Sequence, residues 1–290
     1  MFKFSFNNDT VTSTSDSKDK TESDPKHECM ELTLLEDCVR PEREKFYVFV
    51  ASVDLQVEYL NCLTLPQEDL SSEILTAEQD HSDLIPGQYE GGLKVWECTF
   101  DLGELIAERE EYKKLFQSAT VLDLGCGSGI LGILAVKLGA AAVVFQDYNK
   151  VVLDAITMKN YFFNCCEEDE TKSLPSTQAR FFSGDWASFM DHVQEKFDVI
   201  LTSETIYNQQ HYSTLINLFK SKLKPDGVVL LAAKIYYFGV GGGLRLFESI
   251  LEQDGTFSYR TASDIDDGVR REILEIRWKS PAVQDPIEEK

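Results

Sequence analysis

The chain has 290 residues, 43% of them hydrophobic and 27% charged, which is enough for one large globular domain with its own core. Its 50 Asp and Glu outweigh 28 Lys and Arg, leaving a formal charge of −22. That balance excludes a protein that grips nucleic acid through its phosphates and disfavours docking on anionic lipid, while it suits small molecules, basic proteins or plain solubility.

The N-terminal MFKFSFNNDT alternates aromatic and polar residues and lacks the apolar core of a signal peptide. Phe2, Phe4 and Phe6 fall on one face of a short strand, either by chance alternation or as an edge strand that docks on the main domain. Asn7 to Glu28 is rich in Ser, Thr, Asp and Lys and is expected to be disordered, because it has too little apolar surface to offset its ordering entropy. Residues 1–30 therefore read as a tail. Residues 31–90 read as a small acidic accessory region, with 14 acids against three bases, so that it holds half of the net charge. Within it, Phe46 to Leu55 predicts a strand, and Leu65-Pro66 and Ile85-Pro86-Gly87 mark loops.

Beyond Gly92 the pattern turns regular. Strands are predicted over Thr120 to Gly127, Ala141 to Asn149, Ala179 to Trp186, Phe197 to Thr205 and Val228 to Tyr237. Helices are predicted over Ile130 to Leu138, Val151 to Asn164, His211 to Leu223 and Gly242 to Gln253. Phe257 to Ala262 and Glu272 to Lys279 read as an antiparallel strand pair, and residues 281–290 as a flexible tail. Alternating strands and helices imply a mostly parallel sheet covered on both faces, with an antiparallel edge. The seven cysteines include no CxxC pair, so reduced thiols in an intracellular protein are expected; no metal site is predicted. No apolar run approaches the roughly 20 residues that span a bilayer. A monomer is the expectation.

The strongest motif is VLDLGCGSG, Val121 to Gly129, where an apolar strand breaks into Gly125, Gly127 and Gly129 and a helix follows at once. Dinucleotide folds use the same layout with GxGxxG spacing, but here Ile130 stands in the third glycine's place, which weakens a nicotinamide-cofactor reading. Asp123 suits a ligand carrying an ammonium group. Asp147, at the end of the second regular strand, can accept hydrogen bonds from both ribose hydroxyls; an ordinary strand-end aspartate is the alternative. Gly184, Asp185 and Trp186 can take an adenine, although Trp186 serves equally well as core. All lie at the carboxyl ends of strands, where such sheets bind ligands.

With these residues in place, the chain from about Gly91 to Lys279 resembles the seven-strand S-adenosylmethionine-dependent methyltransferases. Ser203-Glu204-Thr205-Ile206-Tyr207 resembles the [DE]xxY motif of those that modify protein lysine or histidine, and Lys94-Val95-Trp96-Glu97-Cys98 resembles their upstream tryptophan motif. The segments Ser82 to Phe100, Phe145 to Asn149, Thr202 to Asn208 and Tyr237 to Gly243 resemble the protein-histidine methyltransferases. The resemblance implies an α/β fold with a Rossmann-like seven-strand methyltransferase sheet over residues 91–280. It also implies S-adenosylmethionine as cofactor, tele-N-methylation of a histidine in a basic large-subunit ribosomal protein, and residence in cytoplasm and nucleus. Cofactor contacts are implied at Lys94 to Cys98, Gln146, Tyr148 and Ser203, beside the glycine turn, Asp147 and Gly184 to Trp186.

Methyl transfer from a sulfonium is an in-line displacement, in which alignment and exclusion of water dominate. A histidine acceptor is already largely neutral near pH 7, so the harder task is choosing one ring nitrogen, which a carboxylate accepting the other N–H can do. Glu204 is the candidate for that group, with a helix cap as its alternative; Tyr207 walls the acceptor pocket or merely packs. Gly239, Gly241, Gly242 and Gly243 let a substrate backbone lie close, or form a flexible turn. None of the four histidines reads as catalytic. A protein-lysine methyltransferase and a non-catalytic cofactor-binding scaffold remain the rival readings.

Overall fold

The computed structural model describes residues 27–34, 40–79, 82–166 and 177–279. The Phe2–Phe6 strand, most of the Asn7–Glu28 segment and the 281–290 tail lie outside these residues. His27 and Glu28, at the end of that segment, are placed against the sheet: the His27 carbonyl accepts the Asp185 N–H at 2.9 Å and its ring stacks on Tyr148.

The strands are β1 (Met30–Leu32), β2 (Phe46–Ser52), β3 (Leu55–Leu60), β4 (Thr120–Leu124), β5 (Ala142–Asp147), β6 (Gln178–Ser183), β7 (Phe197–Ser203), β8 (Leu223–Lys234), β9 (Phe257–Ile265) and β10 (Arg271–Trp278). The helices are α1 (Ser72–Gln79), α2 (Glu97–Glu108), α3 (Glu110–Lys113), α4 (Ile130–Lys137), α5 (Lys150–Val152), α6 (Met158–Cys165), α7 (Trp186–His192), α8 (Tyr212–Lys222) and α9 (Leu244–Asp254). Eight strands form one sheet in the order β1-β6-β5-β4-β7-β8-β10-β9. The inner five run parallel, β10 is antiparallel to both neighbours, and β1 is antiparallel to β6. This is the expected mostly parallel α/β sheet with its antiparallel C-terminal edge. The chain steps outward from β4 through β5 to β6 and then returns to β7 beside β4. That reversal opens a crevice at the carboxyl ends of β4 and β7, where doubly wound sheets bind their ligands.

The sheet is apolar on both faces, as a parallel sheet under two helical layers must be. Val121, Val143, Phe145 and Leu230 pack under α2, α4 and α6, and Leu122, Val144, Ile200 and Leu231 pack under α7, α8 and α9. Among the described residues no helix is long and apolar enough to cross a membrane.

Several predicted boundaries move. Phe46 to Leu55 is not one strand, because the chain turns at Val53-Asp54 and returns as β3. The third regular strand stops at Ser183, where the Asp185 carboxylate accepts the Ser188 N–H and caps α7. The fifth begins at Leu223 rather than Val228, with a register shift opposite Phe197/Val199 that accommodates Pro225, and ends at Lys234 rather than Tyr237. Helix α2 went unrecognised, although Leu102, Leu105 and Ile106 sit at helical spacing and are buried.

The helix over Val151 to Asn164 contains a π-turn, Leu153–Thr157, between α5 and α6. The turn carries the Thr157 hydroxyl to the Gly127 carbonyl. One turn on, Asn160 joins the glycine turn to the accessory hairpin: its amide donates to the Ser128 carbonyl at 2.9 Å and accepts the Leu60 N–H at 2.8 Å. The hairpin is thus fastened by side chains on a backbone edge. Asn160→Ala should lower unfolding stability by about 2–4 kcal/mol, since it strands a buried donor and a buried acceptor. Urea denaturation should show the fall in midpoint with little change in slope; a loss under about 0.5 kcal/mol would mean that the hairpin is held otherwise.

Candidate active site

The turn after β4 passes through Gly125, Gly127 and Gly129, all at positive φ, before α4 begins. At Gly127 the reason for glycine is steric: a Cβ there would lie 2.9 Å from the Gly92 carbonyl oxygen. The loop ahead of α2 therefore presses directly on the glycine turn. Asp123, assigned from sequence to a ligand's ammonium group, is fully buried, and its Oδ2 accepts the Gly132 N–H in the first turn of α4 at 2.8 Å. Burial pushes its carboxyl up to about 8, the Gly132 N–H opposing and the Asp147 charge adding.

Asp147 ends β5 with both oxygens engaged. Oδ2 accepts the Gly127 N–H at 2.9 Å and Oδ1 the Asn149 N–H at 3.1 Å. Burial raises its carboxyl to about 6 against the pull of those N–H groups. Its neighbour Gln146 donates to the Gly184 carbonyl at 2.8 Å, while its Oε1 is buried and meets no donor. Tyr148 donates to the Gly87 carbonyl at 2.9 Å. Gly184 sits against Glu28 and Cys29 of the N-terminal segment, and the Asp185 carboxylate is spent on capping α7. Trp186 is the first residue of α7, edge-on to His211. Of the other histidines, His192 ends α7 against Phe182, and His81 lies outside the described residues.

The Ser82 to Trp96 loop spans the strand ends. Lys94 pairs with Asp83, Val95 packs on the core, and the Trp96 indole N–H reaches the Gly91 carbonyl at 3.3 Å. Glu90, which the sequence reading passed over, ties the loop down: its backbone N–H donates to Asn149 at 3.0 Å, one carboxylate oxygen accepts the Gly87 N–H at 2.7 Å, and the other accepts the Tyr207 hydroxyl. Burial first, and then the Glu90 charge, hold the Tyr207 hydroxyl well above its ordinary value.

After β7, Ser203 shares a 2.8 Å hydrogen bond with Thr99 of α2, and Glu204 follows at φ 59°, a left-handed conformation that a glutamate adopts only under constraint. Its N–H donates to the Ala232 carbonyl at 2.9 Å. The Glu204 side chain is 4% exposed, and its Oε1 lies 3.2 Å from the ammonium of Lys234, which is 8% exposed. Lys234 also reaches Glu97 at 3.0 Å and stands over the Trp96 ring at 5.1 Å. The Cys98 thiol and the Tyr237 hydroxyl face the same carboxylate, both held well above their ordinary values by burial first and by Glu204's charge second. Glu204 is thus answered by side chains, the Lys234 ammonium first among them, and no backbone N–H reaches either of its oxygens.

Gly242 faces this pocket from the other side. A Cβ there would sit 2.1 Å from the Tyr207 carbonyl oxygen, and the Tyr212 hydroxyl bridges Gly243 to Ile206. Gly239 and Gly241 lie in the outer part of this loop, next to Phe238, which is 72% exposed. The structure thus gathers Trp96, Glu97, Cys98, Ser203, Glu204, Tyr207 and Gly242 around one crevice. It sets Asp123 under α4 and Gly184 to Trp186 beneath the N-terminal segment. Lys234 is the residue the sequence analysis misses: β8 stops there, three residues before the predicted end at Tyr237, and a place at a strand's carboxyl end is the signal for it.

The raised carboxyl of Asp123 has a consequence for stability. A carboxyl pushed above its unfolded value binds its proton more tightly in the fold, so its contribution is full below about 4 and is lost as pH rises toward about 8. Asp123→Asn keeps an acceptor for Gly132 and removes the charge. The stability of the variant relative to the parent should therefore rise steadily between these two pH values in parallel chemical denaturations; a constant difference would refute it.

Residues 71–238 match the profile of a family described as lysine methyltransferase. The chain is 44% identical to the histidine protein methyltransferase 1 homolog of Bos taurus, covering 75% of this chain and 64% of that one. It is 42% identical to the Mus musculus homolog, covering 87% of this chain and 72% of that one. The chain thus spans about two thirds of the length of these curated relatives. Its fold matches a solved putative methyltransferase complexed with SAH at a TM-score of 0.50 and 12% identity, covering 82% of this chain and 57% of that one. The chain belongs to the histidine protein methyltransferase 1 homologs, within the methyltransferase family whose profile it matches.

Proposed function

We propose that the protein transfers a methyl group from S-adenosylmethionine to the tele nitrogen of a histidine in a basic large-subunit ribosomal protein. The observation that carries this is Glu204: an almost fully buried carboxylate at a strand's carboxyl end, in a constrained backbone conformation, faced by the Lys234, Cys98 and Tyr237 side chains but with no backbone N–H on either oxygen. A buried carboxylate is costly unless its acceptor capacity is used, and an imidazole N–H uses it while leaving the other ring nitrogen as nucleophile.

The chain fits the donor on its own chemistry. Asp147 would hold the ribose hydroxyls, the partnerless Gln146 oxygen would serve the adenine end, and the glycine turn would take the amino-acid end with Trp96 beside it. When bound, the donor supplies an electrophilic methyl on a sulfonium. Tyr207, fastened by Glu90, would wall the acceptor ring, and the Gly239 to Gly243 loop would lie along the substrate backbone. Residues 31–90 carry half of the net negative charge and would attract a basic protein before RNA covers it, in cytoplasm or nucleus.

With labelled donor and purified ribosomal proteins, acid hydrolysis should place the label in tele-methylhistidine; label in lysine alone would favour the lysine reading suggested by the family profile. Glu204→Gln should lower kcat about a hundredfold, the scale of one positioned proton-accepting group, with donor affinity kept. Raising salt from about 0.05 to 0.15 M should raise KM for the protein substrate several-fold. An unchanged KM would leave the acidic region as a solubilising surface.

A further inference from the structure

Among the described residues Lys234 brings the only ammonium within 4 Å of Glu204, and it approaches from β8 while α2 supplies its second partner, Glu97. The elements packed around Glu204 bring Cys98 and Glu97 from α2, Lys234 from β8 and Tyr237 from the loop after it. Next along the sheet, Arg271 of β10 pairs opposite Lys234 in register but is held by Asp101 at 2.6 Å, so its charge is committed elsewhere. Lys234 also packs between the Trp96 and Tyr237 rings, at 5.1 and 5.9 Å, which restrains its ammonium.

We infer that Lys234 is a positioning residue for methyl transfer: its ammonium keeps the buried Glu204 carboxylate ionised and aimed, so that Glu204 remains a pure acceptor for the substrate N–H. This rests on the proposed role of Glu204. The chemistry is one of protonation state. An ionised carboxylate only accepts, whereas a protonated one also donates, and would offer its O–H to the nitrogen that has to stay free. Removing a cation from beside a buried carboxylate favours the neutral acid. Burial works against the charge of Lys234, but Glu204 and Glu97 together hold its ammonium above the ordinary value, so the cation persists across the working range. Glu97 is half exposed, which leaves Glu204 as the partner least screened by water.

The test is the pH–rate profile of the full chain with saturating donor and a basic peptide carrying both histidine and lysine, read on whichever residue the unaltered protein methylates. In Lys234→Met the acidic limb should move to higher pH by about one unit or more, and Lys234→Arg should bring it back, since it restores a fixed cation. Lys234→Gln, of similar reach and polarity, takes the place of the Met variant if circular dichroism shows that variant unfolded. A role in packing alone would scale the rate down equally at every pH. Equal profiles for the Met or Gln variant and the parent would therefore overturn the inference while leaving the histidine reading intact. Methylation of lysine only would overturn the histidine reading while the shift still reports on Lys234. No methylation of either residue by the parent would overturn both.

Discussion

Gly127 and Gly92 touch at the limit of what two backbones allow, and much of the site follows from that contact. With a side chain on Gly127 the loop from Ser82 to Trp96 would have to lift from the glycine turn. Because it does not, Glu90 reaches Asn149 and Tyr207, Tyr148 reaches Gly87, and Trp96 starts α2 directly over Lys234. Gly242 repeats the arrangement from the opposite side against Tyr207. The strand ends of the sheet are thus roofed by loops held through backbone contact, and a site that must exclude water gains its walls without large side chains.

The polar groups under this roof are treated unequally. Asp123 and Asp147 are fully buried but answered by backbone N–H groups, so their burial is compensated by the turn that they stabilise. Glu204 has no backbone N–H and relies on side chains, chiefly the Lys234 ammonium. A carboxylate so placed stores unsatisfied acceptor strength, and a methyltransferase can spend it on orienting an acceptor ring. The left-handed backbone at Glu204 belongs to the same economy of strain, held by the Ala232 carbonyl and by the close approach of Gly242 to the following turn.

The fold was legible because its signals are local. Val121 to Leu124 is an apolar run broken only by Asp123, Gly125 to Gly129 can only turn, and Ile130 to Val136 is apolar on every side, as a helix packed into a core must be. Where an element depends on its partner, reading failed. Pro225 looks like a breaker, yet a register shift against β7 absorbs it; Asp185 looks like a ligand contact, yet the next residues fold back as a helix that needs a cap. Met30–Leu32 gives no strand signal by itself and becomes one because β6 offers an open edge.

The same division runs through the site. Residue types in a row, GxGxG after an apolar strand and ExxY after another, determine which loops carry the chemistry, since short-range sterics and strand periodicity act within a few residues. Whether two charges separated by 30 positions meet is a different matter. Lys234 faces Glu204 only because β7 and β8 pair in parallel, with Ser203 opposite Ala232. Glu90 meets Tyr207 only because a glycine turn lets its loop settle. Such long-range pairings leave no local periodicity in the chain; they are consequences of the sheet's register and of backbone contact, and the tertiary structure alone decided them.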